Sequence, residues 1–193
     1  MNNAQVNRVA KRLIAQVPHY RADAANWNWE VNTIRDNEIN AFCLSGGKIG
    51  VLTGSITKIN ATDDELAALI GHEIAHALRD HGREKVSKKL LTGLGVLAAS
   101  SAGLGDMVVS GTSLLGDYGV NLPGSRKLES EADLLGVDIM VRAGYNPQGA
   151  ISFWNKVVAQ EKQGTKIDFL STHPTSEKRI VEIQDYINQN YRK

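Results

Sequence analysis

Two histidines and a glutamate stand close together in the segment Gly71-His-Glu-Ile-Ala-His76. His72 and His76 are four residues apart, so on a helix they face the same side and can bind one ion. Glu73 lies beside them, where its carboxylate can take a proton from an attacking water. This pattern on one helix is typical of a zinc-dependent hydrolase. The alternatives are a chance match and a closed structural zinc site, which usually has four ligands and often cysteine.

A catalytic zinc site needs a third protein ligand, and the residues just after His76 do not supply one. A histidine three residues beyond a glycine would extend the motif, but Arg79 and Gly82 occupy those two positions. His81 lies about 140° around the helix from His76, so we expect it not to share the ion. The favoured interpretation of His81 is a polar residue near the helix C-terminus, and the alternative is a supporting contact to the site.

One face of a later helix can supply the missing ligand. Glu129 and Asp133 are four residues apart in the segment Ser125–Asp133, so their carboxylates lie on the same face. One carboxylate could bind zinc, while the other accepts a hydrogen bond from the free ring nitrogen of a liganding histidine. We expect Glu131 to point elsewhere, into solvent. The alternative for Glu129 is an ordinary surface glutamate on a charged helix.

The composition excludes several classes of protein. The chain has 193 residues with 22 Lys+Arg and 21 Asp+Glu, for a formal net charge of +1. This balance gives no electrostatic footprint for nucleic acid. Cys43 is the only cysteine, so neither an intramolecular disulfide nor a thiolate zinc finger can form. The length fits one domain with a buried core, and we expect residues 1–193 to form a single domain.

The elements that must position these residues follow an α+β pattern. Apolar residues at helical spacing predict an N-terminal helix in residues 1–18, ending at Pro18. Alternating apolar residues predict strands within residues 27–53. The turn Ser45-Gly46-Gly47 indicates a hairpin, and we therefore expect a three-stranded antiparallel meander.

The rest of the chain, residues 62–193, is predicted to be helical. Thr62 and Glu65 form a capping box, which marks the start of the helix that carries the two histidines. Further helices are predicted over residues 85–102, 127–143 and 146–161, and from Pro174 to about residue 189.

No segment has the length and apolarity of a membrane-spanning helix. The longest uncharged run, Leu90–Gly105, falls short of the roughly 20 residues required and is interrupted by glycines. We expect the glycine-rich segment 93–119 to be a core or flexible covering segment. The start of the chain lacks a signal-peptide pattern, so we expect any targeting or membrane-anchoring segment to precede Met1.

Taken in order, three motifs resemble one peptidase family. They are the HExxH segment, the segment Ser125–Asp133, and Ser171-Thr-His-Pro174 followed by Arg179. The family is that of HtpX, the CAAX prenyl protease and the mitochondrial OMA-type protease. The resemblance covers about residues 27–179 and is greatest to the soluble, periplasmic LoiP- and BepA-like branch.

The resemblance implies a zincin-like (gluzincin) metallopeptidase fold with one zinc ion per chain. The implied zinc ligands are His72, His76 and Glu129, with Glu73 as general base and Asp133 behind a ligand. His173 is implied to reach the active site, either to stabilise the oxyanion or to cap the zinc as a latch. Arg179 could hold a substrate carbonyl or carboxylate, and a helix-surface arginine is the alternative. Asn40, Ala41 and Phe42 resemble the substrate-binding edge strand, although Ser45 replaces the usual proline.

The motifs and the resemblance together predict a zinc metalloendopeptidase of the bacterial periplasm or cell envelope. We expect unfolded or misfolded envelope proteins as substrates, extended along the edge Asn40–Leu44 through main-chain hydrogen bonds. The alternative is a chaperone-like binding module whose zinc site is latched or inactive, with the segment 93–119 over the cleft. A zinc aminopeptidase is a third interpretation, and an open edge strand argues against it.

Overall fold

The computed structural model describes residues 3–82, 123–164, 167–174 and 177–191, without the side chains of residues 123–125 and 168. The predicted helix at residues 85–102, the run Leu90–Gly105 and the segment 93–119 lie outside these residues. Within them, a small three-stranded sheet packs against helices, as expected for an α+β protein.

The elements follow one another in a simple order along the chain. The strands are β1 (Glu30–Ile34), β2 (Ala41–Leu44) and β3 (Lys48–Leu52). The helices are α1 (Ala4–Ile14), α2 (Gly54–Thr57), α3 (Asp63–Leu78), α4 (Pro123–Arg142), α5 (Gln148–Lys162), α6 (Asp168–Thr172) and α7 (Glu177–Asn190). Short 3-10 turns cover Val17–His19 and Ala22–Asn26. None of the helices in the described ranges is both long and apolar enough to cross a membrane.

The sheet is mixed, so the prediction of an antiparallel meander in residues 27–53 is wrong. The strand order is β1-β3-β2. β3 pairs with β2 in antiparallel fashion, as the hairpin predicts, but it pairs with β1 in parallel. β2 therefore forms one edge of the sheet, and β3 occupies the centre.

The link between β1 and β2 explains this order. Thr53 donates its amide N–H to the carbonyl of Ile34 (2.9 Å), and Gly54 donates to the carbonyl of Asp36 (2.8 Å). The link thus crosses over the end of β3 and leaves space for that strand between the other two. A Cβ on Gly54 would lie 2.2 Å from the carbonyl oxygen of Asn37, so a glycine is needed where the link passes. Alternating apolar residues identify strands but carry no information about such a crossing.

Helix α3 is the centre of the fold. The predicted capping box is present, since the Glu65 amide donates to the Thr62 hydroxyl (3.3 Å) and the Thr62 amide donates to Glu65 (2.8 Å). Every residue from Glu65 to Leu78 is buried, because α1, α4, α5 and the sheet all pack against this helix. The two histidines of the HExxH segment are consequently shielded from bulk solvent, as their apolar flanks predict.

Helices α3 and α4 come into backbone contact at a pair of glycines. A Cβ on Gly71 would lie 3.0 Å from the carbonyl oxygen of Gly136, and one on Gly136 would lie 2.9 Å from the amide nitrogen of His72. The crossing places the face of α4 that carries Glu129 and Asp133 directly against the histidines of α3. Helix packing, rather than a loop, therefore assembles the residues predicted to act together.

Two further differences from the sequence prediction concern the ends of helices. α1 ends at Ile14, and Pro18 lies in the following 3-10 turn, because proline lacks an amide donor and its ring crowds the preceding turn. The short helix α6, which the sequence did not predict, ends just before His173. His173 thus follows a helix, whereas the sequence placed it at a helix start.

Candidate metal centre

Four side chains from three elements converge on one buried point. They are His72 and His76 from α3, Glu129 from α4 and His173 from the end of α6, and one ligand atom of each lies within 4.8 Å of the others. The two Nε2 atoms of His72 and His76 are 3.0 Å apart. Oε2 of Glu129 lies 3.4 and 3.5 Å from them. The fold therefore brings the predicted ligand Glu129 to the two histidines of α3, from which it is distant in sequence.

The geometry and chemistry of this cluster fit a zinc ion. Tetrahedral zinc with bonds of about 2.0–2.1 Å to nitrogen and oxygen holds its ligands roughly 3.3–3.4 Å apart, close to the separations of His72, His76 and Glu129. Imidazole nitrogen and carboxylate oxygen are also the ligand types that zinc takes. Three buried carboxylates, those of Glu73, Glu129 and Asp133, lie at this cluster with one buried arginine, Arg179. A divalent cation would compensate the remaining negative charge.

His72 and His76 have pKa values that are shifted in opposite directions. Burial lowers the pKa of His72, but hydrogen bonds with Asp133 and Glu129 outweigh it and raise that pKa to about 9. Burial lowers the pKa of His76 to about 3. Burial alone would raise the pKa of Glu129, but its hydrogen bonds with His173, His72 and His76 hold that pKa below its usual value. A liganding imidazole must be neutral, so binding of an ion would release the proton that Asp133 and Glu129 favour on His72.

Asp133 lies behind His72, where the sequence predicted a supporting carboxylate. Its Oδ1 is 2.9 Å from Nδ1 of His72. Nδ1 is on the far side of the ring from the cluster, so this contact fixes the tautomer that leaves Nε2 free to bind an ion. Burial opposes ionisation of Asp133, but the hydrogen bond with His72 and the charge of Arg179 lower its pKa.

Arg179 lies close to the cluster, and its guanidinium forms hydrogen bonds with Asp133. Its Nε and Nη2 donate to the two oxygens of Asp133 (2.7 and 2.9 Å), and Nη1 donates to the carbonyl of Pro174 (2.6 Å). The guanidinium also lies over the Trp154 ring, 4.5 Å from its centroid. Arg179 is buried, which contradicts the alternative of an exposed helix-surface arginine.

His173 enters the cluster as a fourth donor. Its Nδ1 is 2.9 Å from Oε2 of Glu129 and 3.2 Å from Nε2 of His72. Its ring stacks on Phe169, with centroids 4.6 Å apart. Nε2 of His173 points towards Glu73, 3.4 Å from Oε1. His173 is therefore placed both to bind an ion and to contact the predicted general base.

Strand β2 lies beside Glu73. Burial raises the pKa of the Cys43 thiol to about 12, and the negative charge of Glu73 contributes to the same shift. Leu52 donates its amide N–H to the carbonyl of Asn40 (3.0 Å). By the alternation of antiparallel pairs, the main-chain groups of Ala41 and Cys43 then point away from β3. The outer side of β2, next to Glu73, therefore presents main-chain N–H and C=O groups.

The three predicted substrate-binding residues take different positions on this edge. Asn40 accepts the amide N–H of Ala41 on its side-chain oxygen (2.8 Å). Ala41 is buried. Phe42 packs on the opposite face of the strand, where a Cβ on Gly50 would lie 2.3 Å from its ring. The Phe42 side chain therefore faces away from the cluster.

His81 is the residue at this site that the sequence placed elsewhere. Its Nδ1 lies 2.8 Å from Nδ1 of His76, and only 2% of its surface is exposed. α3 ends at Leu78, and Asp80 adopts a positive φ of 54°, so the chain turns back towards the helix. Only a helix that continued past Leu78 would place His81 about 140° away from His76. Asp80 was the available signal, since aspartate tolerates this conformation.

Comparison with known proteins finds one matching family model and relatives that are named as proteases. A family model described as peptidase family M48 matches residues 1–187. Mitochondrial metalloendopeptidase OMA1 of Schizosaccharomyces pombe is 37% identical over 184 residues, covering 94% of this chain and 52% of the relative. Metalloprotease LoiP of Escherichia coli is 32% identical over 180 residues, covering 91% and 69%. The β-barrel assembly-enhancing protease of Yersinia pestis is 27% identical over 196 residues, covering 95% and 38%.

The chain spans about half the length of the mitochondrial metalloendopeptidases OMA1 of Schizosaccharomyces pombe and Saccharomyces cerevisiae, 52% and 47%. The family match over residues 1–187 includes the whole cluster of His72, His76, Glu129 and His173. With this donor set and this family match, the cofactor of the chain is one zinc ion.

Proposed function

The chain belongs to peptidase family M48, and on this premise we propose that it is a zinc-dependent metalloendopeptidase. The observation that carries the proposal is the buried convergence of His72, His76 and Glu129, with Glu73 beside them. When bound, zinc supplies a Lewis acid that acidifies water and polarises a peptide carbonyl. The residues of the chain supply the ligands, the base and the substrate edge.

We assign the ligands and the base as follows. His72, His76 and Glu129 hold the ion, and Asp133 fixes His72 through its Nδ1. Glu73 accepts a proton from the attacking water and then delivers it to the leaving amine. Its carboxylate is buried in α3 directly next to the first ligand, which supports a role in proton transfer at the cluster.

Arg179 acts by position in this proposal. The sequence suggested that it contacts the substrate, but its guanidinium is directed at Asp133 and at the carbonyl of Pro174. It therefore links the carboxylate behind His72 to the chain segment that carries His173. We propose that Arg179 orients both groups and that His173 is the residue available to the substrate oxyanion.

The substrate would bind as an additional strand on β2. The main-chain groups of Cys43 point to the outer side of the sheet next to Glu73, so a peptide paired there passes the cluster in an extended form. Main-chain pairing gives little sequence preference, which suits unfolded polypeptides. An extended site also suits internal peptide bonds, in contrast to an aminopeptidase pocket that must hold a free amino terminus.

The substrates and the location are proposed from the family branch. One relative is named for β-barrel assembly and others are named as mitochondrial enzymes. We propose that this chain acts in the bacterial periplasm or envelope on unfolded or misfolded envelope proteins, through a single metallopeptidase domain over residues 1–193. Among the described residues, one cluster of buried side chains includes members from Val6 in α1 to Ile187 in α7, which supports one domain. Cell fractionation tests the location.

The test of the activity is Glu73→Gln. This variant should bind one zinc ion per chain as the parent does, yet lose cleavage of casein, because the amide cannot accept the proton. Glu161→Gln, on the exposed end of α5, is the matched control and should cleave like the parent. A mock purification from untransformed cells excludes a contaminating protease. With that control, equal casein cleavage by Glu73→Gln and the parent would refute the mechanism.

A second candidate function is a latched zinc site in a chaperone-like binding module. The observation that favours it is His173, which completes a set of four protein donors, as in closed structural sites. The variant His173→Ala separates the two candidates. Faster casein cleavage than the parent indicates a protease held by a latch. Binding of unfolded casein without cleavage in the parent and in His173→Ala indicates the binding module.

A further inference from the structure

The second histidine of the HExxH segment has a partner on the side away from the ion. Nδ1 of His76 lies 2.8 Å from Nδ1 of His81, while Nε2 of His76 faces the cluster, 3.0 Å from Nε2 of His72. His81 is outside the set of four residues that could hold an ion. It nevertheless packs against His76 in the interior, with ring centroids 4.9 Å apart.

Only one arrangement of protons satisfies this contact when Nε2 of His76 binds a metal. The proton of His76 must then be on Nδ1, and that N–H donates to Nδ1 of His81. Because this nitrogen of His81 accepts, the proton of His81 is on its Nε2. Nε2 of His81 is directed at Oε2 of Glu131, 3.6 Å away. The arrangement matches that on His72, whose Nδ1–H donates a hydrogen bond to Asp133.

The position of His81 is built by the turn that ends α3. Asp80 adopts the left-handed conformation and so reverses the chain after Leu78. Nη1 of Arg21 donates to the Leu78 carbonyl (3.0 Å) and to Oδ2 of Asp80 (2.7 Å). Arg21, from the segment before the sheet, thereby holds the turn. The turn after Leu78, and not the periodicity of the helix, therefore places His81 against His76.

We propose that His81 is a positioning residue that fixes the tautomer and ring orientation of His76 and so strengthens zinc binding. The proposal rests on the proposed function, since it assigns His76 as a zinc ligand. His81 acts on the ion only through His76. It is thus the counterpart, on the second ligand, of Asp133 on the first.

The isosteric pair His81→Asn and His81→Gln tests the proposal. The asparagine amide oxygen can take the place of Nδ1 of His81 and accept the hydrogen bond from Nδ1–H of His76. The glutamine amide instead reaches the position of Nε2 of His81. Zinc affinity is measured by competition with a chelator, and the visible absorption of the cobalt-loaded protein reports the ligand geometry. His81→Gln and His81→Leu should bind zinc about 10–100-fold more weakly than the parent. His81→Asn should restore most of the affinity and the cobalt spectrum.

The controls separate this inference from the proposed function. His19→Leu removes an exposed histidine whose contact is Arg142, and it should bind zinc like the parent. If His81→Leu and His81→Gln both had the zinc affinity and the cobalt spectrum of the parent, the role of His81 would be overturned. Equal losses of zinc affinity in His81→Asn and His81→Gln would overturn it as well. A parent that binds zinc and cleaves casein while these variants match it leaves the proposed function intact. A parent without zinc refutes the proposed function itself.

Discussion

The two histidines of α3 are supported in physically different ways. Behind His72 stands a buried ion pair, Asp133 with Arg179, whose side chains are 3% and 7% exposed. Behind His76 lies the buried ring of His81, followed by the side chains of Glu131 and Arg79, which are 41% and 51% exposed. The support of His72 is thus a buried ion pair, whereas the support of His76 is a buried ring with an ion pair only at the surface.

The difference shows what each support contributes. A buried carboxylate and guanidinium must satisfy each other, because an unpaired charge in the interior is costly. The support of His72 therefore couples the ligand to the fold as a whole. A surface ion pair contributes little to stability, so the support of His76 depends on the one hydrogen bond that His76 donates to the ring of His81. Removing equivalent residues on the two sides should then give unequal effects.

The largest expected effect comes from the two arginines. Arg179→Met leaves Asp133 buried beside His72 without its bidentate partner, and the free energy of unfolding should fall by about 3–5 kcal/mol. Arg79→Met removes the corresponding exposed arginine and should cost about 0–1 kcal/mol. Urea denaturation of the metal-free proteins measures both. Similar losses in the two variants would contradict the distinction between a closed and an open support.

A second comparison uses one glycine near each support. The Cβ in Gly136→Ala would lie 2.9 Å from the amide nitrogen of His72, and backbone atoms at a helix crossing cannot easily move. We expect a loss of about 1–3 kcal/mol. Gly82→Ala, one residue after His81, meets no atom within 4 Å in the described part of the chain and should change stability by less than about 0.5 kcal/mol. Thermal unfolding measures the two variants against the parent.

The relative stability of Gly136→Ala and Gly82→Ala tests whether the close crossing of α3 and α4 sets the position of Asp133. If Gly136→Ala were as stable as the parent, then α3 and α4 could separate without loss, and the close approach would not be what sets Asp133 against His72. If Gly82→Ala were the less stable of the two, the region around His81 would be the more tightly packed support.

The two supports also differ in how far the sequence predicts them. His72, His76, Glu129 and Asp133 lie at helical spacings of four, so the period of an uninterrupted helix places each pair on one face. The match to peptidase family M48 confirms the resemblance carried by these motifs. The glycines at residues 71 and 136, which bring the two helices together, have no local signature that links them.

His81 shows where periodicity fails. Its position depends on the end of α3, on the positive φ of Asp80 and on Arg21, which is distant in sequence. None of these follows from the spacing of His76 and His81. The prediction of an antiparallel meander is wrong for a related reason, since the parallel pairing of β1 with β3 depends on a link that crosses the end of a strand. Helical faces are local properties, whereas chain reversals and strand order are decided by distant contacts.

The smallest expected effect concerns Glu131, and it shows how far the support of His76 extends. Oε2 of Glu131 is 3.6 Å from Nε2 of His81, too long for a normal hydrogen bond, and the side chain is 41% exposed and pairs with Arg79. Glu131→Gln should therefore change zinc affinity by less than about twofold, whereas Asp133→Asn should weaken it by about 10–100-fold, because the amide can present an N–H to His72. Chelator competition measures both. A large loss in Glu131→Gln would mean that charge reaches His76 through His81, and the two supports would then work in the same way.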